Sequence, residues 1–564
     1  MLDNFFNGKR PAGVADTIDI TQYDSIVEVL DKACKDNAER PAFTNLGYTL
    51  SFADLDRLSA DFAAYLEHET DLQPGDRVAV QMPNLLQFPV AVFGAMRAGM
   101  VVVNTNPLYT TREMKHQFND SGAKALIVVD MFGHMVEEIL AETPLEHVIV
   151  TSIGDMVPGL KGHVITGLMK YVKKMVPPYN LPKAVKWRQA LSSAAGKGYT
   201  PRPATREDLA ILQYTGGTTG VAKGAMLTNK NILANMLQVK AALHQKNDKG
   251  QPIFGRGTET VVAPLPLYHI YSFTVHCMCM LEMGNHSILI TNPRDPKMFI
   301  KMIKDRAITG FIGLNTLFVS LMDHPDFKLI DFSKLSMTLS GGTALVKDTS
   351  LRWREATGIT ISEAYGLTEC SPAVCVNPLG EQAQIGTIGL PLPGTDLKCI
   401  DADGSEVALG ERGELCVRGD QVMKGYWQRP DATAEVLSED GWLRTGDVAV
   451  IAEDGFVKIV DRIKDLILVS GFNVYPNEIE DVVSSHPDVV NCAVIGVADE
   501  KSGEAPKLFV VTHNTALKKE QLMDYCREHL TGYKLPRYIE FRDELPMTPV
   551  GKILRRELRD SDAA

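Results

Sequence analysis

The 564-residue sequence lacks any run of 18 apolar residues, the length that a membrane-spanning helix needs. Its most apolar stretch, residues 88–103, is interrupted by Arg97. The first residues include Asp3 and have no apolar core of the kind found in a secretory signal, so we expect a cytoplasmic protein. The nine cysteines are odd in number, and Cys277 and Cys279 have no second pair nearby. We therefore expect neither a disulfide framework nor a zinc site.

Positive charge is also in short supply. Lys and Arg number 58 against 70 Asp and Glu, which leaves a net charge of −12. Nucleic acid is therefore excluded as the main partner, because binding to phosphates needs a basic surface. Apolar residues make up 45% and charged residues 23%, as in ordinary globular proteins, which excludes disordered and low-complexity classes.

The pattern of the chain predicts an α/β protein with a large N-terminal body and a small C-terminal domain. In the first two thirds, short apolar runs alternate with amphipathic stretches, which is typical of βαβ units on largely parallel sheets. Gly, Pro and Asp punctuate short alternating segments at about 385–460, which indicates antiparallel strands. We expect domains at 1–463 and 464–564. The apolar runs predicted as strands are 125–129, 209–213, 287–291, 308–312 and 336–339.

The C-terminal hundred residues have their own α+β pattern. A helix is predicted after Pro476 and another at 519–529, with strands at 489–497 and 508–512. We expect the tail, residues 560–564, to be disordered.

Residues 156–206 form a basic segment with ten Lys or Arg and no acid. Val164, Leu168, Tyr171, Val172 and Met175 recur at helical spacing within it. Two interpretations stay open. The helix could lie on an anionic membrane, or it could be a surface helix whose apolar stripe packs on the body.

The strongest chemical signal is the loop Tyr214–Gly224, with the sequence YTGGTTGVAKG. It follows a predicted strand, and its backbone N–H groups and hydroxyls suit an anion such as a phosphate. The spacing does not match a Walker A loop or a dinucleotide fingerprint.

Further motifs follow downstream. An aromatic ring, a hydroxyl and a carboxylate stand together in Tyr365–Glu369, a set that can stack on a base, bind a phosphate and hold Mg²⁺. Glycines in Ser340–Ala344 allow close approach of a flat ring. Asp447, after Trp442, offers acceptors for ribose hydroxyls, and the run 546–553 (PMTPVGKI) ends the series.

Taken in this order, the motifs resemble the adenylate-forming superfamily of acyl-CoA synthetases, luciferases and peptide-synthetase adenylation domains. The resemblance spans nearly the whole chain and is strongest to bacterial long-chain fatty-acid–CoA ligases. The segments 440–447 (DGWLRTGD) and 455–465 (GFVKIVDRIKD) support it. One departure is Ala222, where the superfamily usually has Pro.

The resemblance implies a site for ATP with Mg²⁺, a long-chain fatty acid and CoA. It implies Lys552, Thr368 and Glu369 as catalytic residues, Glu369 and Thr215 as metal ligands, and Lys464 as the hinge of a mobile C-terminal domain. The nucleotide would be bound by Thr215, Gly216, Gly217, Thr218, Thr219, Gly220, Lys223, Gly342, Thr343, Tyr365, Gly366, Asp447 and Arg462.

The remaining site residues have two interpretations each. His269 lies where the family places the acyl carboxylate, and we interpret it as an orienting wall, since an ionised carboxylate needs no base. Phe273 is an aromatic gate to the acyl pocket or an ordinary core residue. Gly471 lines the CoA tunnel or occupies a simple turn.

The predicted reaction is ATP-dependent joining of a long-chain fatty acid to CoA through an acyl-adenylate. A second hypothesis is an adenylate former for another carboxylate or for a carrier protein. A third, from a different class, is a non-catalytic fatty-acid binding or uptake protein at the membrane, against which the complete motif set weighs. The family is often homodimeric, which we take as an expectation.

Overall fold

The computed structural model describes residues 5–215, 222–470, 472–499, 501–548 and 551–563. It confirms a mixed α/β body followed by a small C-terminal α+β unit. Among the described helices, none combines the length and the apolar character that crossing a bilayer requires.

The strands of the body occupy short apolar runs rich in β-branched residues. In chain order they are β1 (Pro41–Asn45), β2 (Tyr48–Ser51), β3 (Arg77–Gln81), β4 (Val101–Thr105), β5 (Ala123–Val129), β6 (His147–Thr151), β7 (Val185–Lys186), β8 (Leu209–Tyr214), β9 (Gly224–Thr228), β10 (Thr260–Ala263), β11 (His286–Leu289), β12 (Gly310–Gly313), β13 (Met337–Gly341), β14 (Ile361–Gly366), β15 (Ala373–Val376), β16 (Leu390–Pro391), β17 (Asp396–Ile400), β18 (Arg412–Arg418), β19 (Leu443–Ile451) and β20 (Val457–Arg462). The C-terminal unit adds β21 (Ile467–Val469), β22 (Phe472–Val474), β23 (Val489–Asp499), β24 (Gly503–Thr512) and β25 (Tyr538–Phe541).

The helices lie between these strands. The α-helices are α1 (Ile26–Asp36), α2 (Phe52–His68), α3 (Gln87–Arg97), α4 (Thr111–Ser121), α5 (Gly133–Ile139), α6 (Gly159–Gly167), α7 (Trp187–Ala194), α8 (Asn229–Leu243), α9 (Ile270–Ser272), α10 (Pro296–Ile303), α11 (Asn315–Met322), α12 (Lys347–Thr357), α13 (Pro430–Val436), α14 (Pro476–Ser484), α15 (Lys519–His529) and α16 (Arg555–Ala563). Two π-helical turns, Leu168–Val172 and Phe273–Met280, extend α6 and α9. Short 3-10 turns occupy Ile20–Gln22, Asp130–Phe132, Leu140–Glu142, Pro325–Leu329, Thr368–Cys370, Gly380–Gln382, Ile463–Asp465 and Gly532–Lys534.

Two large sheets form the body. One has the order β7-β6-β5-β3-β4-β8-β9 and is parallel except for β9 at its edge. The other has the order β16-β15-β14-β13-β12-β10-β11-β1-β2, parallel in its centre and antiparallel at both ends. The buried apolar residues of the body form one large cluster and a smaller one that includes residues of β3, β4, β5, β6 and β8. The predicted parallel sheets are thus confirmed.

Two smaller sheets follow. Strands β17 to β20 form an antiparallel sheet, as the punctuated pattern predicts. The C-terminal unit has the order β22-β21-β24-β23, with β25 parallel to β24, and two apolar clusters of its own. The 3-10 turn Ile463–Asp465 lies between these two sheets.

One expectation is wrong, and one of the two interpretations of the basic segment is not supported. The tail is not disordered: α16 runs to residue 563, because Leu558 is fully buried and Arg555 and Arg559 form ion pairs with Asp465. The apolar stripe of the basic segment does not pack on the body. Its members on α6 and the following turn are exposed to solvent.

Candidate active site

The predicted phosphate loop connects two strands at the edge of the seven-stranded sheet. Strands β8 and β9 pair antiparallel, and the Thr215 N–H donates to the Lys223 carbonyl over 2.9 Å where the loop begins and ends. The two ends of the loop are therefore held together by a backbone hydrogen bond. Five residues predicted to bind phosphates, Gly216, Gly217, Thr218, Thr219 and Gly220, lie outside the described residues.

Tyr426 contacts both Lys223 and the predicted metal ligand Glu369. The Lys223 Nζ lies 5.0 Å from the centre of the Tyr426 ring, and the Tyr426 hydroxyl donates to Glu369 Oε1 over 2.7 Å. Burial and the Glu369 charge raise the pKa of Tyr426, so it stays a donor at neutral pH. The segment after Lys424 runs beside β9, with Ala225 bridged to Tyr426, which places this ring next to the loop.

Thr368 and Glu369 begin a 3-10 turn directly after β14. The Met423 N–H donates to the Glu369 carbonyl over 2.7 Å, which joins this turn to the segment that carries Tyr426. Gly366, at the end of β14, lies so close to the Pro372 carbonyl that a side chain would collide with it. The turn therefore holds its hydroxyl and carboxylate at the carboxyl end of the nine-stranded sheet.

A second cluster joins β14 to the antiparallel sheet. The Tyr365 hydroxyl donates to Asp447 Oδ2 over 2.6 Å, and Arg462 Nε forms an ion pair with Asp447 Oδ1 at 3.0 Å. Asp447 and Arg462 are direct partners in the β19–β20 ladder. Burial and the Asp447 charge raise the pKa of Tyr365 well above its usual value. Strand pairing thus sets the ion pair, whereas the Tyr365 bond depends on contact between two sheets.

The predicted adenine pocket lies at the end of β13. Gly342 has a φ of +86°, and the space in which a Cβ would lie is empty among the described atoms. The Thr343 Oγ1 is buried without a hydrogen-bond partner in the described part of the chain. The Tyr271 ring packs over Gly341, and its hydroxyl is likewise buried and unpaired there. Unsatisfied polar atoms of this kind suit the binding of a ligand.

Lys552 lies on a tight loop of the C-terminal unit that touches the body. The Lys552 N–H donates to Thr548 Oγ1 over 3.0 Å, and the Thr548 N–H donates to the Lys552 carbonyl over 2.7 Å. Gly551 has a φ of +75°, and a Cβ there would lie 2.9 Å from Thr316 Oγ1 and 3.1 Å from Leu314 Cδ1. The loop therefore packs directly against the start of α11.

This docking places Lys552 among charged groups of the nucleotide cluster. Burial, then the cations Arg462 and Lys464, lower the pKa of Lys552 to about 8, although Asp447 opposes the shift. Burial and Lys552 lower the pKa of His269 to about 4, so this ring is neutral at pH 7. A neutral imidazole adds no charge beside Lys552.

The predicted hinge, Lys464, is in the 3-10 turn between the two smaller sheets. Burial and Arg462 lower the pKa of Lys464. The next residue, Asp465, is buried and forms ion pairs with Arg555 at 3.4 Å and Arg559 at 2.7 Å. Arg555 also binds Glu480 of α14 at 2.7 Å. The hinge segment is thus fastened to the C-terminal unit through Asp465.

The predicted acyl and CoA residues differ in what the structure shows. His269 caps α9 and accepts a hydrogen bond from the Tyr271 N–H over 3.3 Å. Phe273 is fully buried in the main apolar core, at the start of a π-helical turn. Gly471 lies outside the described residues.

Sequence reasoning missed three residues of this region: Tyr426, Thr316 and Arg555. The Gly425–Trp427 segment offered a signal, an aromatic pair after a glycine, whereas Thr316 and Arg555 offered none. Each owes its place to a contact with a distant part of the chain.

Comparison with protein families gives two matches. The family described as AMP-binding enzyme matches residues 30–427, and the family described as AMP-binding enzyme C-terminal domain matches residues 478–552.

Curated relatives match along nearly the whole length. The long-chain-fatty-acid–CoA ligase of Salmonella typhimurium is 52% identical over 552 residues, covering 98% of this chain and 97% of the relative. Its namesake from Escherichia coli O157:H7 is 50% identical with the same coverage, and that from Bacillus subtilis is 35% identical over 93% of this chain and 92% of its own.

Solved structures share the fold. The anthranilate CoA ligase AuaEII in complex with anthranoyl-AMP aligns with a TM-score of 0.85 at 24% identity, over 97% of this chain and 99% of its own. ATP-bound MatB from Rhodopseudomonas palustris aligns with a TM-score of 0.78 at 27% identity, over 95% and 98%.

Proposed function

The chain belongs to the AMP-binding enzyme family, and we propose that it is a long-chain fatty-acid–CoA ligase. ATP, a long-chain fatty acid and CoA would give acyl-CoA, AMP and diphosphate through an acyl-adenylate. The observation that carries this proposal is the identity of 50–52%, over 98% of the chain, to relatives that bear this name. The placement of Lys552 beside Asp447 and Arg462 supports the chemistry.

The Tyr365–Asp447–Arg462 cluster would bind the nucleoside. Asp447 Oδ2 accepts a hydrogen bond from Tyr365 and Oδ1 forms an ion pair with Arg462, and both oxygens keep a lone pair for a ribose hydroxyl. Gly342, Thr343, Tyr365 and Gly366 would line the adenine pocket.

The phosphates would lie between the loop that starts at Thr215 and the turn that holds Thr368. Lys223 is placed by its contact with Tyr426 and would contribute positive charge. Glu369 offers carboxylate oxygen, the ligand type that Mg²⁺ prefers, and its Oε2 has no hydrogen-bond partner in the described part of the chain. Glu369 and the hydroxyl of Thr215 would hold the ion. Bound there, it would neutralise charge on the phosphate oxygens.

In the first half-reaction the fatty carboxylate attacks the α-phosphorus. A P–O bond forms, and the bond to the leaving diphosphate breaks. Because two anions meet, the barrier is largely electrostatic, and the charged Lys552 would stabilise the developing charge. His269 has a pKa of about 4 and the carboxylate is already ionised, so an orienting role suits His269 better than a basic one.

In the second half-reaction the CoA thiol attacks the carbonyl of the mixed anhydride, and AMP leaves. In enzymes of this type the small domain turns between the two steps, which would withdraw Lys552. We propose Lys464 as the hinge, domains at 1–463 and 464–564 with a β-rich part at about 385–460, and Gly471 at the CoA tunnel. Phe273 and His269 are proposed for the acyl pocket.

The experiment is diphosphate release with ATP, Mg²⁺ and fatty acids of graded length, with and without CoA. The expected result is sustained release that prefers long chains, requires CoA for turnover and collapses in Lys552→Ala. The exposed Lys501, which has no ion-pair partner among the described residues, provides the matched control Lys501→Ala.

Other outcomes would redirect the proposal. A single burst that CoA does not convert to turnover would indicate a carrier-loading enzyme, and preference for an aryl or short acid would indicate another carboxylate. Binding of fatty acid without any release would contradict a ligase. Cytoplasmic location, contact with an anionic membrane and a homodimer stay predictions.

A further inference from the structure

Helix α4 is firmly anchored beside the loop of residues 214–224. At its start, the Glu113 N–H donates to Thr110 Oγ1 over 3.3 Å, and Glu113 Oε2 accepts from the Thr110 N–H over 2.8 Å. Met114 and Phe118, one turn apart, are fully buried in the smaller apolar cluster of the body. A capped helix with such core contacts has little freedom, so the side chains on its other face start from fixed positions.

His116 and Asp120 lie one turn apart on the side of α4 that faces the loop. The His116 Nε2 is 3.1 Å from the Ala222 carbonyl oxygen, and since a carbonyl can only accept, this nitrogen carries the proton. Asp120 Oδ2 accepts a hydrogen bond from the Tyr214 hydroxyl over 2.7 Å. Tyr214 ends β8, where the loop begins, and Ala222 stands just before Lys223, where the loop ends. Adjacent turns of one helix therefore hold both ends of the loop.

Asp120 also fastens the segment 425–429 to the same helix. Its Oδ1 forms an ion pair with Arg429 at 2.6 Å, and its carbonyl accepts from the Trp427 Nε1–H over 3.1 Å. The Trp427 backbone N–H in turn donates to the Gly224 carbonyl over 2.8 Å. The segment that holds an aromatic ring beside the predicted metal ligand is therefore fixed relative to α4 as well.

The end of the loop needs this support because of its composition. Ala222 leaves φ free, whereas a proline at this position would fix it. The peptide between Ala222 and Lys223 sets the direction in which the Lys223 side chain leaves the loop. A hydrogen bond from His116 to the Ala222 carbonyl holds that peptide in one orientation.

We propose that His116 and Asp120 are positioning residues for ATP, which hold the two ends of the loop from α4 so that Thr215 and Lys223 are in place for the phosphates. The identity of the nucleotide rests on the proposed function. Neither side chain needs to touch the substrate, since both act through the backbone carbonyl and the hydroxyl that they hold. Their loss should therefore weaken the binding of ATP and leave that of the fatty acid and CoA unaffected.

The test is calorimetric binding of Mg–ATP, together with KM for ATP, fatty acid and CoA in diphosphate release. His116→Leu removes the donor at similar bulk and should raise Kd and KM for ATP about fivefold, since one such hydrogen bond accounts for about two- to tenfold. KM for the other two substrates and kcat should change by less than about twofold. His116→Gln, whose amide nitrogen is as many bonds from Cβ as the His Nε2, should restore the affinity to within about twofold. Tyr214→Phe, which releases the other end of the loop, should raise Kd and KM for ATP by about as much as His116→Leu.

The matched control is His68→Leu. The His68 Nε2 also lies 3.0 Å from a backbone carbonyl, that of Gly198, and neither residue belongs to the site. This variant should leave the Kd for ATP and all three KM values unchanged. Unchanged ATP affinity in both His116→Leu and Tyr214→Phe would overturn the proposal. An equal rise in all three KM values, or a failure of His116→Gln to restore the affinity, would overturn it too.

The binding measurement separates this inference from the proposed function. If the parent protein binds Mg–ATP but ligates no fatty acid, the proposed function fails, and the ATP affinities of the variants still decide the role of α4. A parent protein that binds no Mg–ATP overturns both. If His116→Leu does not fold, Tyr214→Phe decides: a selective rise in the Kd for ATP supports the positioning role, and an unchanged Kd overturns it.

Discussion

The charge of Lys552 should control the pH dependence of the first half-reaction. Its pKa of about 8 places the loss of its charge close to the working range of the enzyme. Relative to an ordinary lysine at 10.5, the site disfavours the ammonium by about 3 kcal/mol. Under the proposed role, in which protonated Lys552 stabilises the anionic transition state, the reaction should slow as pH rises through about 8.

The magnitude follows from the protonated fraction. With a pKa of about 8, about nine tenths of Lys552 is charged at pH 7 and about one tenth at pH 9. The apparent kcat/KM for adenylate formation should therefore fall about tenfold between these pH values. The fall in kcat should occur at higher pH than the fall in kcat/KM, because bound ATP brings negative charge next to the ammonium and raises its pKa.

The assay is ATP–diphosphate exchange with a soluble fatty acid between pH 6 and 10, in three proteins. Lys552→Arg keeps its charge throughout this range, so its rate should not fall at high pH. Its rate should be lower than that of the parent at all pH values, because a guanidinium has a different shape. Lys552→Ala should be slower by about a hundredfold or more at pH 7. Asp461 and Glu363, with pKa values raised by burial to about 7 and 8, titrate in the same window.

The Arg variant separates these groups. If the rate of Lys552→Arg still falls at high pH, another residue such as Asp461 controls the pH dependence, and the assignment to Lys552 is refuted. A parent profile that is flat to pH 10 would refute the lowered pKa itself.

Three further predictions concern docking and stability. Gly551→Ala adds a Cβ to a residue with left-handed backbone and places it against Thr316. Adenylate formation should slow at least tenfold, whereas conversion of supplied acyl-adenylate with CoA should be unchanged. Gly532→Ala, with open space around it, is the control. Burial raises the pKa of Glu363 to about 8, so this acid favours the fold at low pH and opposes it as pH rises from about 4.5 to 8. Glu363→Gln should therefore raise the free energy of unfolding by about 3 kcal/mol at pH 7, about 4 kcal/mol at pH 8 and only about 1 kcal/mol at pH 5, measured by thermal unfolding. Arg555→Met removes the ion pair of Glu480 and leaves Asp465 with Arg559 alone, so it should destabilise the C-terminal unit by about 3 kcal/mol, measured by hydrogen exchange of its amides.

Each has a contrary result. Equal loss of both half-reactions in Gly551→Ala would mean general damage rather than impaired docking. A pH-independent gain in Glu363→Gln would mean that packing, not ionisation, is responsible. Unchanged exchange in Arg555→Met would mean that water or rearranged partners satisfy Asp465 and Glu480.

The sequence alone was sufficient where a structure depends on local pattern. The predicted strand at 209–213 is β8, the helix at 519–529 is α15 with the same bounds, and the phosphate loop follows its strand as expected. Strand ends were less accurate: the run 308–312 became β12 at Gly310–Gly313, because pairing with the neighbouring strands decides where a ladder begins and ends.

The contacts that could not be predicted join residues far apart in the chain. Tyr365 and Asp447 are 82 residues apart in the chain, and only the packing of two sheets joins them. The contact of Gly551 with Thr316 and the bond from Tyr426 to Glu369 likewise depend on the docking of distant segments. The local sequence of Thr316 does not indicate its contact with Gly551, and the aromatic pair after Gly425 does not indicate that Tyr426 binds Glu369.

The sequence by itself determined the fold class, the order of the motifs and the family they resemble, because these depend on periodicity and on residue types at short spacing. Only the tertiary structure decided which charges meet. It lowered the pKa of Lys552, kept His269 neutral and turned the apolar residues of α6 toward solvent. Burial and the distance between charges set these properties, and both are fixed only when remote parts of the chain pack together.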